Sequence, residues 1–170
     1  MFDLRHAAVR YRLGLLGTEA LVHIADLLLE EGCDSAAAVQ LATLESPVMP
    51  EVAPLFERAC AECGIIVPSM GEAIDEMLRF HVESIASGVR PPREALGDLM
   101  SQVYYPHISH ESVREFIGDS RGLEQLIGAY WSYDDFLERP DCLFKGRQGE
   151  AAIPFFDEHV RELARAWLRR

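Results

Sequence analysis

Apolar residues in this chain recur at helical spacing, and the runs are cut at short intervals by glycine and proline. No stretch sustains the two-residue alternation of a half-buried strand. Thr18 is placed to cap a helix over residues 20–31, with Leu21, Ile24, Ala25 and Leu28 on one stripe and Gly32 as its stop. Asp34 or Ser35 opens a short second helix through Leu44, which Pro47 prevents from continuing. A third is expected from Met49 to Cys63, closed by Gly64. A fourth follows Pro68 and Ser69 as far as Ala86 and aligns Ile74, Met77, Leu78, His81, Val82 and Ile85, with Gly88 beyond it. Pro91 or Pro92 starts a fifth over Arg93 to Tyr105.

Ser109 or Ser112, and then Asp119, have the chemistry of caps for two further segments, the second carrying Leu123, Leu126, Ile127, Tyr130 and Trp131. Residues 139–150 are rich in Pro, Asp and Gly and read as a loop. Pro154 suits the first turn of a last helix that ends on Arg169 and Arg170. Ile65 to Val67 and Cys142 to Phe144 are the two pieces that could form short strands. The expected fold class is therefore all-α: a single-domain multi-helix bundle over residues 1–170, with about seven or eight antiparallel helices.

Charge narrows the range of partners. The formal net charge is −12, and 170 residues with 49% hydrophobic content are enough for an ordinary globular core. Nucleic acid and anionic membrane surfaces attract clustered Lys and Arg, so a field of this sign argues against both. It is also unevenly distributed. Residues 1–85 carry 14 acids against 5 bases, and residues 86–170 carry 14 against 11. Between Leu13 and Glu57 there is no Lys or Arg at all, while Glu19, Asp26, Glu30, Glu31, Asp34, Glu45, Glu51 and Glu57 fall in the same window. A basic protein is the natural complement.

The N-terminal Met1-Phe2-Asp3-Leu4-Arg5-His6 lacks the basic start and apolar run of a secretory signal. No window approaches the roughly 18 uninterrupted apolar residues of a membrane span. A cytoplasmic location is expected. Cys33, Cys60, Cys63 and Cys142 are too few for a disulfide scaffold, and nothing else in the sequence points to an oxidising compartment.

Candidate chemistry is sparse. Cys60-Ala-Glu-Cys63 has the spacing of a redox or zinc half-site, but it lies at the end of a predicted helix and has no second ligand pair close behind. It reads as two small apolar residues on a core stripe. His107-Ile-Ser-His110-Glu111 is the densest ligand cluster, and His107, His110 and Glu111 together are the candidate metal site. Glu19, His23, Asp26 and Glu30 recur at steps of four, three and four, which puts them on one helix face. That row reads as a solvated acidic face, with metal ligation as its alternative. His81 falls on a core stripe. No Gly-rich phosphate loop, dinucleotide fingerprint or Gly-x-Ser-x-Gly is present, so no cofactor is expected.

Aromatic residues gather in the second half. Tyr104-Tyr105-Pro106 ends one predicted helix, and Tyr130-Trp131-Ser132-Tyr133-Asp134-Asp135-Phe136 ends another. Adjacent rings cannot all face one core, and Tyr and Trp beside acids suit an interface with a basic protein. The expected partner-binding set is Glu19, His23, Asp26 and Glu30 with Tyr104, Tyr105, Tyr130, Trp131, Tyr133, Asp134 and Asp135.

Two stretches resemble small helical bacterial immunity-type proteins, which bind and neutralise a toxin. Leu15-Leu16-Gly17-Thr18-Glu19-Ala20-Leu21-Val22-His23-Ile24-Ala25-Asp26 is similar to a helix opening in such immunity-type and uncharacterised bacterial proteins, with Ile24 where that pattern has Trp. Tyr104-Tyr105-Pro106 resembles the Tyr-Tyr-Pro of colicin nuclease immunity proteins. These stretches cover under a tenth of the chain. The resemblance implies a non-catalytic protein whose acidic helical surface clamps a basic toxin domain. A metal-binding protein or metal-dependent enzyme built on His107, His110 and Glu111 is the alternative, and a structural or homo-oligomeric helical module is the third reading.

Overall fold

In the computed structural model, which describes residues 3–111, 121–139 and 141–170, the chain is all-α apart from one two-residue β-hairpin. The expected caps at Ser112 and Asp119 lie outside the described residues. Eight α-helices are present among the described residues: α1 (Leu4–Arg12), α2 (Thr18–Glu30), α3 (Ala36–Ala42), α4 (Met49–Glu62), α5 (Met70–Ser87), α6 (Pro92–Leu99), α7 (Glu124–Glu138) and α8 (Ile153–Leu168). The backbone groups into two compact units, residues 1–76 and 77–170, with α5 passing from one to the other.

In the first unit, α2 packs on α3 and α4, and α3 packs on α4. Leu21, Leu28, Leu41, Val52 and Phe56 are buried at the centre of its core, with Ala7 and Ala8 of α1 joining them. The glycine stops act as the sequence implies. Gly32 and Gly64 both have positive φ, +83° and +79°, where a side chain would be strained. At the end of α2, Gly32 N–H donates to the Leu29 carbonyl and Cys33 N–H to that of Leu28. At the end of α4, Gly64 N–H donates to Ala61 and Ile65 N–H to Cys60. Both sets are Schellman closures that satisfy otherwise orphaned carbonyls. Ser35 caps α3, its Oγ accepting from Ala38 N–H at 3.0 Å. From α4, Glu62 accepts from Ser35 Oγ at 2.7 Å and Ala37 N–H at 3.1 Å, and these bonds hold its carboxyl below the usual range.

Helix α1 is an addition to the expected elements; Asp3 caps it by accepting from His6 N–H at 3.0 Å. Two expectations are corrected here. Thr18 is the first residue of α2 rather than its cap, which is Gly17. The cysteines are not all thiols. Cys33 and Cys63 form a disulfide, while Cys60 is a buried thiol within the core.

In the second unit, α6 packs on α7 and α8, and α7 packs on α8. Leu96, Leu99, Leu126, Ile127, Val160 and Ala164 are buried. The fifth predicted helix keeps its α form only to Leu99. Residues Met100–Ile108 widen into a π-helix, with Ser109 N–H reaching back five residues to the Tyr104 carbonyl at 2.8 Å. Pro106, which has no N–H to give an α-helical ladder, lies inside this wider turn. In the predicted loop, Leu143–Phe144 pairs antiparallel with Arg147–Gln148 and a 3₁₀ turn leads into α8.

Candidate functional site

The acidic row of α2 faces solvent. Glu19, His23, Asp26 and Glu30 are all exposed, opposite the buried Leu21, Ile24 and Leu28. Among the described residues, Glu19, Asp26 and Glu30 make no ion pair, so their charges add at the surface. The second unit is different. Asp98 pairs with Arg90 at 2.6 Å, Asp134 with Arg93 at 3.2 Å, and Glu158 with both Arg161 and Arg165 at 3.1 and 2.9 Å. Many of its acids are matched by neighbouring arginines, whereas Glu19, Asp26 and Glu30 of α2 are not.

The aromatic candidates separate by burial. Tyr105 and Trp131 are exposed, at 48% and 42%, with Asp134 and Asp135 also at the surface and Tyr130 half-buried. Tyr104 and Tyr133 are buried and leave the partner-facing set. Tyr133 packs edge-on against Phe156 and donates its hydroxyl to Asp157 Oδ1 at 2.6 Å. Burial together with that carboxylate raises its pKa well above the usual phenol range.

The candidate metal residues do not form a ligand set. His107 is half-buried, His110 is exposed, and both oxygens of Glu111 accept from Arg121, at 3.1 Å from Nε and 2.6 Å from Nη2. A carboxylate held by a bidentate guanidinium is already neutralised. Among the described residues no group of three His, Cys, Asp or Glu is disposed to hold a metal ion. His81 is buried beside Phe80, as its stripe implies. No helix is long and apolar enough to cross a membrane among the described residues.

The sequence reading misses one feature, a cleft of about 310 Å³ between α1 and α2 in the first unit. Leu16, Ala20, Ile24 and Leu27 give it an apolar floor, and His6, Arg10 and His23 stand at its rim. Burial, reinforced by the Arg10 charge, lowers the pKa of His6 below the ordinary imidazole value. Leu16, Ala20, His23 and Ile24 form one wall, and it takes α1 as the second to make a cleft.

Comparison of the chain with protein-family models, curated proteins and solved structures gives no match.

Proposed function

We propose that the protein is a non-catalytic acidic binding module whose α2 face takes up a basic protein domain, as an immunity protein takes up its toxin. The observation that carries this reading is the contrast in charge pairing. Glu19, Asp26 and Glu30 stand exposed on one helix row without an ion-pair partner among the described residues, while many acids of the second unit are matched by arginine. Unpaired like charges on one face repel one another, and a cationic partner relieves that repulsion while being steered towards it. In the second unit, exposed Trp131 and Tyr105 supply aromatic surface of the kind enriched in binding hot spots.

The test is a co-purification from the source lysate at low salt and at about 1 M salt, where the screening length falls to about 3 Å. It compares the native protein with the triple reversal Glu19→Lys, Asp26→Lys and Glu30→Lys. The control reverses the exposed acids Glu138, Asp141 and Glu150 instead. The expected result is a basic protein retained at low salt, released at high salt, and lost with the α2 triple alone. Equal loss with both triples, or retention indifferent to salt, removes the α2 face from the reading.

A further inference from the structure

We infer that the cleft between α1 and α2 is a binding site for a small amphipathic anion, a monocarboxylate with a short apolar tail. This site shares His23 with the α2 row but none of its carboxylates, and it does not depend on the partner proposed above.

The bases of the first unit are few and clustered. The window from Leu13 to Glu57 has none, and α1 concentrates Arg5, Arg10 and Arg12. Two of these have structural work. Arg5 pairs with Glu76 and donates Nη1 to the Ile66 carbonyl at 2.8 Å, and Arg12 donates Nε to the Pro68 carbonyl at 2.8 Å. Arg10 does not: among the described residues no ion pair or side-chain hydrogen bond engages its guanidinium, and it stands exposed at the cleft rim. His6 and His23 line the same cleft, from α1 and α2 respectively. The lining carboxylate, Asp3, keeps its charge but is held by the α1 cap, its Oδ1 accepting from His6 N–H, which leaves the Arg10 guanidinium as the group that takes a ligand head.

Beneath this rim the lining changes character. Leu16, Ala20 and Ile24 present hydrocarbon, and Ile24 is 6% exposed. A cationic, hydrogen-bonding edge over an apolar floor is complementary to an anionic head and an apolar tail, with the guanidinium fork matching a carboxylate in bidentate geometry. The volume of about 310 Å³ lies at the lower end of small-molecule sites, which limits the tail to a short one. A cationic amphiphile would meet Arg10 with the wrong sign, and a ligand lacking a tail would leave the floor uncovered.

Octanoate, octan-1-ol and octyltrimethylammonium are the probes, titrated into the full chain while the methyl resonances of Ala20 and Ile24 are followed by NMR. Octanoate should shift both saturably, with octanol at least about tenfold weaker and the ammonium weaker still. Arg10→Gln should weaken octanoate by about tenfold, the scale of one charge-assisted hydrogen bond, and leave octanol unchanged. Ala20→Phe, at a half-buried position, should fill the cleft and abolish both, with circular dichroism confirming the helices. The inference is overturned if octanol binds as tightly as octanoate, if Arg10→Gln changes nothing, or if the folded Ala20→Phe variant still binds. Binding here by the triple reversal of Glu19, Asp26 and Glu30 separates this site from the acidic face.

Discussion

Cys33 and Cys63 are bonded across a sequence separation of 30 residues, and each adjoins a glycine that ends a helix. Cys33 follows Gly32 at the close of α2, and Cys63 precedes Gly64 at the close of α4. The bridge therefore ties two Schellman-closed helix ends, already fixed by their own backbone bonds, around α3. Cys60, three residues before Cys63 and one turn away, points into the core instead. The Cys60-Ala-Glu-Cys63 spacing thus joins two cysteines with different tasks.

Alkylation should separate those tasks. In the native, unreduced protein iodoacetamide should label Cys142, which is half-buried, while buried Cys60, its thiol pKa pushed up to about 12, resists. Unfolding without reductant should give two labels by intact mass, and unfolding with reductant four. Four labels without reductant would mean that the pair is a dithiol.

Replacing both bridge cysteines by serine should lower stability by about 3.5 kcal/mol, the chain-entropy value for a loop of this length. Equilibrium denaturation in urea measures it. Because the bridge acts on the unfolded chain, the native far-ultraviolet dichroism should hold while the midpoint falls. An unchanged midpoint would show that the unbridged, unfolded chain already keeps these two ends close.

Most helices were legible because their signals are local. The stops at Gly32, Gly64 and Gly88, the cap at Ser35 and the apolar stripe of α5 each involve residues within a turn or two of one another. Helix α1 was missed although Asp3, Leu4, Ala7, Ala8 and Tyr11 hold helical spacing, since the alanines give it a weak apolar stripe. The π-helix was missed because apolar spacing carries no information on which carbonyl an N–H reaches. The Cys33–Cys63 bond and the α1–α2 cleft depend on how separate helices meet, which no window of sequence contains. Of the candidate site residues, periodicity correctly put Glu19, His23, Asp26 and Glu30 on one face, but it could not separate exposed Trp131 from buried Tyr133 two residues away.

Tyr11 makes alkaline stability measurable at a single residue. Burial first, and then its hydrogen bond to Glu57 Oε1 at 2.9 Å, push its phenol from about 10 up to about 12. The folded state thus holds a proton that the unfolded chain releases. Its contribution is complete below about pH 10 and is lost as pH rises towards about 12. Tyr11→Phe keeps the ring against Phe56, 4.9 Å between centroids in the native protein, and removes the titration. The stability of the variant should therefore fall less steeply than the native protein's between pH 10 and 12. Parallel curves would show that the Tyr11 hydroxyl is hydrated in the folded state.

Tyr133 tests the second unit in the same way, with a different partner. Its ring is fully buried in the α7–α8 contact, and its hydroxyl meets the half-buried Asp157 carboxylate at 2.6 Å. Tyr133→Phe keeps the edge-on packing on Phe156 and deletes one charge-assisted hydrogen bond, a loss of about 1.5 kcal/mol in chemical denaturation. Asp157→Asn keeps an acceptor but removes the charge, so it should cost less than Tyr133→Phe. The double variant should cost no more than Tyr133→Phe alone, since both substitutions act on one bond. Additive losses would mean that the two side chains stabilise the unit through separate contacts, and that the short hydroxyl–carboxylate bond does not couple α7 to α8.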